Sequence, residues 1–246
     1  MKSFVDLHMQ PSVDDSEQAR KMVCRSSALG YRLVGISFPL NVTRDKVRQL
    51  QSICTNVGID LVTRLDLTSK TPGQLLHQLR HFRRKFEVIS VVCTSKVIAR
   101  HAAKDRRVDL LSFPNAIFRG QSFDRAEAEL ASKSLSSLEV DMAPLLSSKD
   151  FSRIRLLSTL RKEVAIAKKF GVSVAISSGA TNVQFMKGPY DYAALASLFD
   201  MTAPLALRAL SEVPLAIVKR NREKLSPDFV APGIRLVRRK TGCTAV

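Results

Sequence analysis

A helix, a glycine and then a short apolar strand follow one another in this chain at Gly30, Gly58 and Gly171. Glycine just past a helix end accepts the left-handed backbone that stops the helix. Seven strands read out on either side of these signals: Ser3–Leu7, Tyr31–Phe38, Ile59–Leu67, Glu87–Cys93, Arg107–Phe113, Leu135–Val140 and Val172–Ile176. Helical periodicity fills the intervals over Asp14–Ala28, Thr43–Val57, Thr71–Arg84, Lys96–Lys104, Asp124–Lys133 and Asp150–Phe170, then over Pro189–Phe199 and Ala203–Lys224. Most of the strands are apolar at successive rather than alternate positions, so both faces are covered, as in a parallel sheet wrapped by crossover helices. The pattern predicts an α/β fold, an irregular (β/α) TIM-like barrel in a single domain over residues 1–224, with a basic C-terminal tail over 225–246. It is irregular because residues 203–224, where an eighth strand is due, read as helix. A doubly wound open sheet is the runner-up. That fold places a glycine-rich phosphate loop after its first strand, whereas His8-Met9-Gln10-Pro11 contains no glycine.

On this scaffold sits a formal charge of +17. Residues 77–107 hold nine Lys/Arg against Glu87 and Asp105, and residues 219–240 hold eight against Glu223 and Asp228. Arg155, Lys162 and Lys169 add a stripe along the longest helix, whose apolar face is read as Phe151, Ile154, Leu157, Leu160, Val164 and Ala167. Such a balance favours a polyanionic partner, nucleic acid first. Aromatic residues make up only 6% and tryptophan is absent, which favours structured RNA held by its backbone over stacked single strands.

Catalytic signatures are sparse. Asp6 and His8, two apart on the first strand, are expected on one side of it near the barrel mouth. A binuclear metal site would need more ligands than the four histidines offer. His77 and His81 have the spacing of a zinc-protease helix, but Gln78 stands where the general-base glutamate belongs. No nucleophile elbow or phosphate-binding Walker loop occurs, and Ser177-Ser178-Gly179-Ala180 reads as a tightly packed strand end. The cysteines (Cys24, Cys54, Cys93, Cys243) form no C-x-x-C pair. Three of them, Cys24, Cys54 and Cys93, read as small core residues of a chain in a reducing compartment. The N-terminus carries no signal-peptide pattern, and the polar interruptions in 193–218 argue against a membrane span.

Three stretches together carry a resemblance: Val108-Asp-Leu-Leu-Ser-Phe-Pro114 with Phe118-Arg119, Ala165-Ile-Ala-Lys-Lys-Phe-Gly-Val172, and Ala175-Ile-Ser-Ser-Gly-Ala180 followed by Lys187-Gly-Pro-Tyr-Asp191. With Phe4-Val5-Asp6-Leu7 they resemble the TIM-barrel, thirty-kilodalton-type protein subunit of archaeal and eukaryotic ribonuclease P. The resemblance implies a non-catalytic subunit supporting an RNA that removes the 5′ leader from precursor tRNA. It implies as partners that catalytic RNA and a smaller α/β protein subunit, with precursor tRNA reached indirectly. It implies no cofactor on the chain, with magnesium on the RNA. The expected location is the cytoplasm, or the nucleus and nucleolus in a eukaryote. For RNA binding it points to Arg119 and Lys187, after the fifth and seventh strands; Arg106, Arg107, Arg220 and Arg222 are added by position. The loop Gly120-Gln121-Ser122 is less charged than the family pattern. The different-class alternative is a PHP-like metal-dependent phosphoesterase built on Asp6 and His8.

Overall fold

The structure is a computed structural model, and it describes residues 3–12, 14–114, 121–231 and 234–236. Seven parallel strands lie in sequence order: β1 (Phe4–Met9), β2 (Tyr31–Ser37), β3 (Asp60–Leu67), β4 (Val88–Val92), β5 (Leu110–Ser112), β6 (Ser137–Asp141) and β7 (Val174–Ser177). Helices α1 (Ser16–Ala28), α2 (Arg44–Asn56), α3 (Pro72–Phe82), α4 (Lys96–Lys104), α5 (Arg125–Ser134), α6 (Ala143–Ser147) and α7 (Asp150–Lys169) form the crossovers. After β7 come α8 (Pro189–Ala196), α9 (Ala203–Ala209) and α10 (Glu212–Leu225). The first part of the basic tail adds a small antiparallel pair, β8 (Phe229–Ala231) with β9 (Ile234–Arg235). The barrel expectation holds, and so does the single-domain reading.

Local chemistry accounts for the helix starts. Asp15 accepts from the backbone N–H groups of Glu17 and Gln18, Thr71 from Gln74, and Ser95 from Ile98. Asp124 and Glu127 form a full capping box on α5. Gly30, Gly58 and Gly171 all take positive φ at the ends of helices, as the recurring pattern requires.

Two apolar layers hold the barrel. Outside the sheet, Met22, Leu50, Leu75, Ile98 and Leu160 pack from the helices against outward strand residues such as Ile36, Leu65 and Val91. Inside, Val5, Leu7, Leu33, Val62, Val88, Leu110 and Ala175 meet Ile217 and Val218 of α10. Most of these interior residues lie near the N-terminal ends of their strands, so α10 runs across the base as a plug. No eighth strand is needed. The Val5 N–H donates to the Leu210 carbonyl at the α9–α10 junction (2.9 Å). At the opposite end the Gln10 N–H donates to the Ala180 carbonyl (2.8 Å), and Met9 bridges Ala180.

Several expectations are corrected. Residues 203–224 are two helices broken at Leu210–Ser211, because Leu210 serves the seam. Cys24 is exposed on α1, while Cys54 and Cys93 are buried. On α7 the buried seam is Leu156, Leu160, Glu163, Val164 and Ala167, and both Phe151 and Ile154 face outward. Among the described residues no helix is long and apolar enough to cross a membrane.

Gly35 marks the tightest strand approach. A Cβ there would lie 2.4 Å from the Leu7 carbonyl oxygen. Gly35→Ala should therefore destabilise the fold by about 1–3 kcal/mol through overpacking, read as a lower urea midpoint with an unchanged slope.

Candidate functional site: a self-neutralised mouth and a basic base

The C-terminal half of the barrel interior is polar, and its centre is a fully buried arginine. Arg64 projects inward from β3 with its side chain at 0% exposure. Its guanidinium grips Glu139 of β6 with both terminal nitrogens, at 2.5 and 2.7 Å. Nε donates to Asp66 (2.8 Å), and a terminal nitrogen donates to the Leu7 carbonyl (3.0 Å). Ser90 and Ser177 each donate a hydroxyl to Glu139. Paired charges with every lone pair engaged are the condition under which ions persist in an interior.

His8 sits above this pair. Its Nδ1 is 2.8 Å from Asp141, and its Nε2 is 3.5 Å from Asp66. The Gln10 carboxamide lies 2.5 Å from Nε2, and turning that amide presents its oxygen to an imidazolium. Burial and the nearby Arg64 both push the His8 pKa down, but Asp141 and Asp66 outweigh them and lift it to about 10. Burial would likewise raise Glu139 and Asp66, yet Arg64 outweighs it and holds both carboxyls below their usual range.

Asp6 does not join His8. Val5 and Leu7 face the interior, so Asp6 faces away from it, and the β1–β2 register shifts between Asp6 and Met9. That shift frees His8 to lean over the mouth. Asp6 instead accepts from the backbone N–H groups of Ser178 (2.9 Å) and His8 (3.1 Å). The Ser178 hydroxyl donates to the His8 carbonyl (2.9 Å). The small-residue corner after β7 is thus the barrel's closing seam, as its tight packing suggested.

Could this mouth hold a divalent ion? His8, Glu139 and Asp141 offer ligand atoms within 4.8 Å of one another. The donor set does not fit one. Both Glu139 oxygens are committed to Arg64, and the two ring nitrogens of His8 are turned to Asp141 and to Gln10 and Asp66. The guanidinium occupies the cation's role.

The base carries a different chemistry. The C-terminal parts of α3, α4 and α10 and the residues just after α3 and α4 carry Arg80, Arg84, Lys85, Lys104, Arg106, Lys219 and Lys224, all exposed. Lys224 is pushed below its usual range by partial burial and by Arg220, Arg83 and Arg106, against the pull of Asp109. Of the residues expected to bind RNA, Arg106 is among these. Arg107 is paired with Asp105 (2.5 Å) and Arg220 with Asp109 (3.0 Å). Arg222 bonds Glu87 (2.6 Å), Asp60 and the Leu61 carbonyl. These three pin α10 and the base loops. Lys187 is exposed on the barrel flank, its backbone held by the Tyr31 and Tyr192 hydroxyls. Arg119 lies outside the described residues.

The sequence reading missed Arg64 and Glu139. Their signal was present: single charges two apart within buried strands, Arg64 and Asp66 in LVTRLDL and Glu139 and Asp141 in SLEVD.

A parallel barrel with a self-neutralised interior and a cation-rich base defines a class of charge-presenting barrel scaffold. Residues 3–226 match the family model described as RNase P subunit p30, and the chain belongs to that family. A protein of Methanosarcina barkeri named ribonuclease P protein component 3 is 30% identical over 227 residues, covering 92% of each chain. Its namesake from Methanococcoides burtonii is 27% identical over 235 residues, covering 96% of this chain and 94% of its own. Among solved structures, a chain described as belonging to archaeal ribonuclease P with mature tRNA superposes with a TM-score of 0.82 at 23% identity, covering 96% of this chain and 99% of that one. A Bifidobacterium longum protein described as a prolidase shares the barrel more loosely, with a TM-score of 0.54 at 10% identity, covering 90% and 70%.

Removing one partner of the interior pair strands a buried charge. Glu139→Ala should cost about 3–5 kcal/mol of folding stability, measured by denaturant unfolding. For His8 the native pKa lies above the ordinary 6.5, so its stabilisation is complete below 6.5 and fades as pH rises through about 10. The thermal midpoint of the wild type should accordingly fall between neutral pH and about 10 by more than that of His8→Asn.

Proposed function

We propose that this chain serves ribonuclease P as a non-catalytic protein subunit, docking the catalytic RNA through the cations at its barrel base. The observation that carries the reading is the group of exposed cations at the base, Arg84, Lys104, Arg106 and Lys224 among them, in which Arg106 also crowds the Lys224 ammonium. Cations gathered this closely gain when an anion arrives. A run of RNA phosphates supplies such anions and releases counterions on binding. Arg106 and Lys187 are the expected residues that remain exposed, and neither joins an ion pair among the described residues. We assign phosphate contacts to both. Arg107, Arg220 and Arg222 shape the base by holding its carboxylates. Family membership over 3–226 supports the role in 5′-leader removal.

The mouth needs no ion of its own in this reading, and the magnesium belongs to the RNA. Arg64 and a protonated His8 count against the phosphoesterase alternative, which requires open, deprotonated ligands. The protein partner is the smaller α/β subunit, precursor tRNA is met through the RNA, and the setting is cytoplasmic, or nuclear in a eukaryote.

Reconstituted cleavage of precursor tRNA by ribonuclease P RNA tests this directly. Adding the chain with its partner subunit should raise the rate at limiting magnesium. The triple variant Arg84→Ala/Arg106→Ala/Lys224→Ala should keep its fold by circular dichroism. It should lose RNA affinity, and each lost phosphate contact should flatten the log–log salt dependence by about 0.7–0.9. Unchanged affinity and slope in that variant would remove the base from the RNA interface. Cleavage of a phosphoester by the chain alone, lost in His8→Asn, would overturn the reading altogether.

A further inference from the structure

Helix α7 leaves two large apolar side chains in solvent. Phe151 is 86% exposed and Ile154 is 65% exposed. They lie one turn apart at the start of the helix, opposite the seam formed by Leu156, Leu160 and Val164. Arg155, Ser158 and Lys162 continue the same outward face, all exposed. An isolated exposed apolar residue needs no explanation, but a Phe and an Ile at this spacing on one helix face match the anchor spacing of a helix-in-groove contact.

The rim decides what fits. Lys149, Arg153 and Arg155 flank the pair, all exposed, with Asp150 as the one acid among them. A second copy of this chain would set the same cations against each other, on a chain already at +17. An RNA strand would satisfy the rim but would gain nothing from the aliphatic Ile154 at its centre. An apolar pocket edged by aspartate or glutamate matches both centre and rim, and desolvated aromatic anchors are what dominate such contacts.

We propose that the first two turns of α7 dock a second protein of the ribonuclease P particle, one that presents an apolar pocket with an acidic rim. This rests on the functional reading above. The test replaces Phe151 with a benzophenone photo-crosslinking amino acid in tagged chain expressed in its source cells. The whole particle is then purified and irradiated, and the products are identified by mass spectrometry. The expected product joins position 151 to one other protein subunit, at a peptide with apolar residues and nearby Asp or Glu. Attachment to RNA, to another copy of this chain, or to nothing would overturn the proposal. In parallel, Ile154→Asp/Arg155→Glu should fold normally and lose that subunit from the particle by about tenfold or more, with the RNA content retained. Retention of the subunit in that variant would also overturn it. RNA sequencing of the same particle is scored separately: a particle without ribonuclease P RNA refutes the functional reading, whereas the protein crosslink alone decides the docking site.

Discussion

The bidentate grip of Arg64 on Glu139 spans the barrel from β3 to β6, and much of the upper interior is arranged around it. Apolar side chains fill the lower half, but the upper half is filled by charge. Charges there persist only because each is answered: Glu139 by Arg64, Ser90 and Ser177, and Asp66 by Arg64 and Ser37. His8 caps the stack through Asp141 and Asp66. A buried pair of this kind adds little net stability over a packed apolar core, but it is costly to break. It sets the relative placement of strands far apart in sequence, and it engages both oxygens of Glu139.

Closure follows from a second economy. Seven strands nearly complete the circle, and the remaining gap is bridged at its two ends by different means. Near the mouth, the corner after β7 bonds β1 directly. Near the base, the helix break at Leu210 supplies a carbonyl to Val5, and α10 crosses beneath. The arginines of α10 are what hold it there. Arg220 and Arg222 reach carboxylates at the entrances of β3, β4 and β5, so they act as rivets of the plug. The exposed cations around them form a charged edge of the base. The division of labour is spatial: the mouth neutralises itself and the base does not.

Much of the architecture was legible in the residues. Helix, glycine and two-sided apolar strand recur strongly enough to indicate a parallel sheet, because parallel strands require covered faces and crossover helices, and their number and the missing glycine-rich loop favoured a barrel over an open sheet. The corner Ser177–Ala180 was readable as a tight strand end because it has so little bulk. Charge composition pointed to a polyanion for similarly local reasons. Family character lay in the order and spacing of motifs that are each weak alone.

Tertiary structure alone decided the rest. Period-two spacing put Asp6 and His8 together, and a register shift in β1 separated them; such a shift depends on the neighbouring strand. Helical periodicity placed Phe151 and Ile154 in the core, but the fold turns the face carrying Leu156, Leu160 and Val164 inward and leaves those two in solvent. Arginines alike in sequence were sorted by what lies across from them: Arg222 faces Asp60 and Glu87, whereas Arg106 faces solvent. Periodicity and composition are properties of a segment and can be read from it. Pairing is a property of two segments brought together by the fold, and on this barrel it decides which arginines hold a carboxylate and which stay exposed.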